Sequence, residues 1–116
     1  MRPFQPHDTV PEVPASEAHR RVQQQEALLL DVREGVEFAE VRAPDAINIP
    51  LGELAARQAE LDPDRPIAVI CRSGNRSALA VQHLRQLGVD AVNVADGLIG
   101  WHSADLPLET DQARVA

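Results

Sequence analysis

Apolar residues fall into short unbroken runs, separated by stretches in which they recur at helical spacing. Ala27-Leu28-Leu29-Leu30 is too short for a helix and leads into Asp31-Val32-Arg33, as expected of a strand buried on both faces of a parallel sheet. Ile67-Ala68-Val69-Ile70-Cys71 is the most strand-like run and is predicted to be a central strand. Ala46 to Ile49, closed by Pro50, and Ala91 to Ala95 supply two more. Pro3, Pro6, Pro11 and Pro14 remove backbone donors near the start, so Val10 to Val13 suits an edge strand.

Between these runs the pattern predicts helices. One begins at Ser16 as its N-cap and reaches about Gln25. A short one over Glu34 to Glu40 should carry Phe38 inward and be ended by Pro44, and another is expected from Leu51 to Leu61. Asp62 to Pro66 is turn chemistry. Ala80, Val81, Leu84 and Leu87 lie at helical spacing between Ser77 and Leu87, with Gly88 placed as a left-handed cap. A last helical turn follows Gly97 around Trp101.

Strands alternating with helices predict an α/β fold, a central mostly parallel sheet with helices on both faces and ligands at the carboxyl ends of the strands. The expected organisation is one domain over residues 10–108, with a flexible Pro-rich tail at 1–9 and a flexible C-terminal tail at 109–116.

Composition narrows this picture. A chain of 116 residues can bury one hydrophobic core, and with Phe4, Phe38 and Trp101 its only aromatics that core must be Leu, Ile, Val and Ala. A net charge of −7 and a pI near 4.9 disfavour nucleic acid or an anionic membrane as partner. The single cysteine can form neither an internal disulfide nor a thiolate zinc cluster, which points to a reducing compartment. The start lacks the apolar stretch of a secretory signal, and no window approaches the roughly 18 apolar residues of a membrane span, so a soluble, cytoplasmic monomer is expected.

Chemistry concentrates in Cys71-Arg72-Ser73-Gly74-Asn75-Arg76-Ser77, between the expected central strand and a helix. The first amides of a helix have no internal acceptors and favour negative charge, so such a junction becomes an anion cradle. Gly74 lets the backbone curl, Asn75 tolerates the left-handed region, and Arg72 and Arg76 add positive charge. A thiolate at the base of this nest would be stabilised and nucleophilic near neutral pH. The bland alternative is that Cys71 is the last apolar residue of a buried strand, but an inert cysteine would not require the polar, basic, turn-prone run that follows it. His7, His19, His83 and His102 show no ligand pairing, so neither a metal nor another cofactor is expected, and Trp101 reads as a packing anchor.

Four blocks in order, Leu30 to Glu34 with Glu37-Phe38, Pro44 to Pro50, Cys71 to Ser77, and Gly97 to Trp101, resemble a rhodanese domain from about Val10 to Leu108. The resemblance implies the rhodanese-like three-layer α/β fold. It also implies a sulfurtransferase in which Cys71 attacks the outer sulfur of an anionic donor such as thiosulfate. Sulfite leaves, and Cys71 holds a persulfide until cyanide, a cellular thiol or a thioredoxin-like acceptor removes the sulfur. Arg72, Ser73, Gly74, Asn75, Arg76 and Ser77 would bind the donor; Arg72 and Arg76 could instead pair with nearby acids, and Ser73 and Ser77 could cap the helix. Arg33 is a candidate pocket residue, although pairing with Asp31 is the favoured reading. Two departures stand out: Val41-Arg42 replaces the family's Gly-His pair, where Arg42 could compensate by a surface contact, and Asp96-Gly97 replaces its double glycine. Asp45 likewise stands where glycine would be permissive.

Two other classes compete. Cysteine phosphatases and arsenate reductases also set a cysteine in a phosphate cradle, but phosphatases separate it from their arginine by five residues; here Ser77 holds that position and Arg76 comes one early. The other is a rhodanese-like binding module, or a carrier that takes persulfide from a desulfurase without using thiosulfate.

Overall fold

In the computed structural model, residues 10–110 are described; the proposed tail at 1–9 and residues 111–116 of the proposed C-terminal tail lie outside the described residues. The strands among these residues are β1 (Glu12–Val13), β2 (Leu28–Asp31), β3 (Val41–Arg42), β4 (Ile47–Asn48), β5 (Ile67–Ile70), β6 (Ala91–Val94) and β7 (Glu109–Thr110). Five form one sheet in the order β1-β6-β5-β2-β4, every neighbouring pair parallel. β5 is central, as its unbroken apolar run predicts, and β1 lies at the edge.

The helices are α1 (Ala15–Gln23), α2 (Gly35–Glu40), α3 (Leu54–Arg57), α4 (Asn75–Gln86) and α5 (Gly97–Ser103). Because strand side chains alternate, Leu30, Val69, Cys71 and Ala91 form one buried cluster with Leu54 of α3 and Ala80, Val81 and Leu84 of α4. Leu29, Ala68, Ile70 and Val94 form the opposite one with Ala15 and Ala18 of α1 and Leu98 and Trp101 of α5. The result is three layers, helices on both faces of a parallel sheet. Trp101 is buried as the expected anchor, its indole N–H donating to Pro107 O at 2.8 Å.

Several local expectations change. The helix near Ser16 begins at Ala15 with Pro14 as its extended N-cap and no side-chain cap; the Pro14 carbonyl accepts from the Glu17 and Ala18 amides, both at 3.0 Å, which starts the first turn one residue early. Leu51 to Leu61 breaks into a 3-10 turn, the single turn of α3 and a second 3-10 turn. Only Leu54 and Leu61 of that stretch are buried, which gives a continuous helix no apolar stripe to lie on. Phe38 is half-buried rather than inward, and its ring lies under the Arg42 guanidinium. Arg42 is itself buried rather than at the surface; it donates to Phe38 O and Ala39 O and pairs with Glu109. Glu109 and Thr110, expected to begin the tail, instead form β7, antiparallel to β3. Asp45 and Asp96 adopt left-handed backbones (φ 68° and 62°), which aspartate tolerates better than most residues, whereas Val41 is simply extended.

One glycine fixes the approach of α5 to the end of β5. Gly97 has φ +54°, and a Cβ there would stand 2.4 Å from Cys71 O and 2.6 Å from Arg72 O. Those carbonyls cannot retreat, because they accept from Leu98 N (2.8 Å) and Ile99 N (3.1 Å). Gly97→Ala should therefore destabilise the domain by at least about 2 kcal/mol, a fall in Tm of roughly 10 °C in thermal denaturation. An unchanged Tm would show that α5 does not lock this junction.

Candidate active site

β5 delivers Cys71 to the carboxyl edge of the sheet, and the chain curls through Arg72, Ser73 and Gly74 into α4. Gly74, the N-cap of α4, takes φ +107°, which side-chain-bearing residues rarely adopt. Asn75 and Arg76 belong to the first turn of α4, so the left-handed residue of the loop is Gly74, not Asn75.

The loop's amides are aimed by what holds its carbonyls. In a trans peptide C=O and N–H point in opposite directions. Ile99 N–H fixes the Arg72 carbonyl towards α5, which turns the Ser73 amide the other way, towards the sulfur. Gly74 N–H donates to Cys71 Sγ at 3.1 Å, and the Ser73 and Ser77 amides also act on it. The Ser77 hydroxyl lies 3.2 Å from Sγ. Burial pushes the Cys71 thiol up, but the Ser77 hydroxyl and the amides of Ser77, Gly74 and Ser73 more than offset it, leaving the pKa below the ordinary thiol value. Cys71 is 1% exposed, at the floor of a cradle whose rim residues Arg72, Ser73 and Asn75 are exposed.

Behind the cradle stands Asn93 of β6, buried, which accepts from the Ser77 hydroxyl at 2.5 Å and donates through Nδ2 to Gly74 O at 3.1 Å. The sequence reading missed it. Its signal was an amide in the apolar run Ala91-Val92-Asn93-Val94-Ala95.

The arginines are less free than the sequence suggests. Arg76 donates both terminal nitrogens to Glu37 of α2, at 2.7 and 3.0 Å, although its charge still acts on Cys71. Arg33 is buried against Asp31, with Nη2 2.8 Å from Oδ2. Arg33 also donates to the carbonyls of Glu37 and Val41, which ties α2 to the end of β2. Arg72 is exposed and has no side-chain hydrogen bond or ion pair within the described residues. Arg72 and Arg33 share a groove of about 490 Å³ with Val41, Leu98 and Ile99.

The histidines do not converge on this site. His19 meets the Trp101 ring edge-on, His83 bonds Gln58, His102 is exposed beside the groove, and His7 lies outside the described residues. Among the described residues no group of three or more His, Cys, Asp or Glu is placed to hold a metal ion.

A three-layer α/β domain with a cysteine ringed by amides after its central strand is the class that the geometry defines. Comparison with known proteins agrees: the Rhodanese-like domain model matches residues 14–104. The chain belongs to the rhodanese-like domain family. A sulfurtransferase of Allochromatium vinosum is 35% identical over 92 residues, 78% of this chain and 86% of that protein. The crystal structure of a rhodanese-related protein from Thermoplasma volcanium is similar with a TM-score of 0.81 and 35% identity, over 86% of this chain and 98% of that one. That of a thiosulfate sulfurtransferase from Pseudomonas aeruginosa is similar with a TM-score of 0.79 and 32% identity, over 89% of this chain and 21% of that one. Several of the relatives that the chain matches are named sulfurtransferases.

The Arg76 guanidinium holds the Glu37 carboxyl down at about 2, helped by the Glu34 amide. A depressed carboxylate stabilises the fold at any pH above its unfolded value of about 4.3, and that contribution is lost as pH falls towards about 2. Both side chains are about a third exposed, so screening limits the pair to about 1 kcal/mol. Urea unfolding from pH 6 down to 2 should show this increment disappearing in the wild type and absent throughout in Glu37→Gln. Identical pH slopes would show that the pair does not tie α2 to α4.

Proposed function

We propose that this protein carries a sulfane sulfur on Cys71, taking it from thiosulfate or a similar small anionic donor and passing it to a thiophilic acceptor. The observation that carries this reading is the convergence of the Ser73, Gly74 and Ser77 amides on one sulfur atom. The Cys71 thiol first gives its proton to solvent. Its thiolate then attacks the outer sulfur of thiosulfate, forming the Cys71 disulfane bond while the donor's S–S bond breaks and its electron pair leaves with sulfite. The persulfide anion keeps the outer sulfur until cyanide, a thiol or a thioredoxin-like thiolate attacks it and Cys71 departs as thiolate.

The amide ring serves each stage, because the same dipoles favour the anionic donor, the charge in the transition state and the persulfide. Arg72 draws the donor to the rim, and Arg76 adds positive potential while Glu37 holds it. Ser73, Gly74, Asn75 and Ser77 supply the remaining walls of the cradle, and Arg33 lines the groove beside Arg72. A reducing, cytoplasmic setting would keep the lone Cys71 available for this chemistry. A phosphatase reading is weakened because Ser77 stands at the phosphatase arginine position and Arg76 is engaged by Glu37.

Thiosulfate:cyanide transfer should be lost by at least roughly a hundredfold in Cys71→Ala, with no phosphate released from p-nitrophenyl phosphate by the wild type. Equal thiocyanate formation by both proteins would remove Cys71 from the mechanism. An inactive wild type that still accepts sulfur from a cysteine desulfurase would restrict the protein to persulfide carriage.

A further inference from the structure

We propose that Asn93 is a positioning residue for Cys71: it holds the Ser77 hydroxyl on its amide oxygen while Cys71 is a thiol, and gives up that hydrogen bond to the sulfur when Cys71 ionises. The step it serves rests on the function proposed above, but the exchange is a property of the resting protein.

Asn93 pairs with Val69 of β5 and is 4% exposed. Its side chain faces α4, as Cys71 does. The orientation of its amide follows from the backbone: Nδ2 donates to Gly74 O at 3.1 Å, and a flipped amide would set two acceptors face to face. Oδ1 is therefore the atom 2.5 Å from Ser77 Oγ. An amide oxygen has no proton to give, so the Ser77 hydroxyl donates to it.

A hydroxyl has one proton. With that proton on Asn93, Ser77 Oγ presents lone pairs to Sγ at 3.2 Å, an arrangement that suits a thiol donating its S–H. It does not suit a thiolate, whose charge would face a lone pair. When the thiol proton leaves to solvent, the hydroxyl must turn about its Cβ–Oγ bond and donate to the sulfur, leaving Oδ1 without that donor. No covalent bond to Asn93 or Ser77 changes. Asn93 thus competes with the thiolate for one proton while its Nδ2 keeps the Gly74 peptide in place, moderating the ionisation that the amide ring promotes.

The charged groups on the surrounding elements are Arg72 on the loop, Arg76 on α4, the Asp31–Arg33 pair after β2, Glu37 on α2, Asp96 before α5 and Glu12 on β1, opposite Asn93. None is altered in the variants below; Asn93→Ala also frees the Gly74 carbonyl, so the effect of the hydroxyl is read as the difference between the Ser77 and Ser77→Ala backgrounds.

The test is the thiolate absorbance of Cys71 against pH, with Cys71→Ala as blank, in wild type, Asn93→Ala, Ser77→Ala and the double variant. One hydrogen bond to a charged group corresponds to a shift of about one unit. Asn93→Ala should lower the midpoint by about that much when Ser77 is present and leave it unmoved in the Ser77→Ala background. A midpoint unchanged or raised by Asn93→Ala, or a fall that persists without Ser77, would overturn the proposal. The folded wild type offers a second reading that needs no Asn93 variant: the Asn93 side-chain carbonyl carbon should shift in NMR through the Cys71 midpoint, and lose that shift in Ser77→Ala. A signal flat across the midpoint in wild type would equally overturn it. Loss of thiosulfate transfer with these titrations intact would count against the proposed function and leave this inference standing.

Discussion

The arrangement turns on backbone N–H groups directed at a single sulfur. Burial alone would raise the thiol's pKa, and the amides of Ser73, Gly74 and Ser77, with the Ser77 hydroxyl, reverse that direction. The loop that carries them is held from distant parts of the sequence. The end of β5 places Cys71, the amides of α5 take the carbonyls of Cys71 and Arg72, and Asn93 takes the carbonyl of Gly74. Gly97 permits the first of these contacts because it has no Cβ to strike the same carbonyls. The fold thus acts on the sulfur through the Ser77 hydroxyl and through peptide orientation together.

This also reconciles an acidic protein with the anionic donor proposed for it. The net charge is −7, and two of the three arginines nearest the cradle are engaged, Arg76 by Glu37 and Arg33 by Asp31. Oriented dipoles act over short distances inside a water-poor site, whereas bulk charge is screened within about 10 Å at ordinary ionic strength. A local nest can therefore favour an anion on a surface that disfavours it. Arg72, exposed and without a side-chain partner among the described residues, is the formal charge that would meet the proposed donor arriving from solvent.

Much of this was legible in the sequence where one force dominates. The runs at Leu28 and Ile67 became central parallel strands because every residue of a doubly covered strand can be apolar, and the polar run after Cys71 marked the cradle. Where several weak forces compete, pattern failed. Leu51 to Leu61 has too few buried positions to hold a helix, and Phe38 packs half-exposed against the buried Arg42 guanidinium instead of entering the core. Arg42 and Glu109 could not be paired from sequence because β7 meets β3 only after the chain has crossed the whole domain. Asn93 was hidden for a related reason: its role depends on which face of β6 looks towards α4, and that is set by sheet register.

The claim that matters most is that folding itself makes the Cys71 thiol more acidic. Titrating thiolate absorbance in the native protein and in the same protein unfolded in denaturant, each against Cys71→Ala, compares the two states directly. The account requires a lower midpoint in the native state; a native midpoint equal to or above the unfolded one would contradict it.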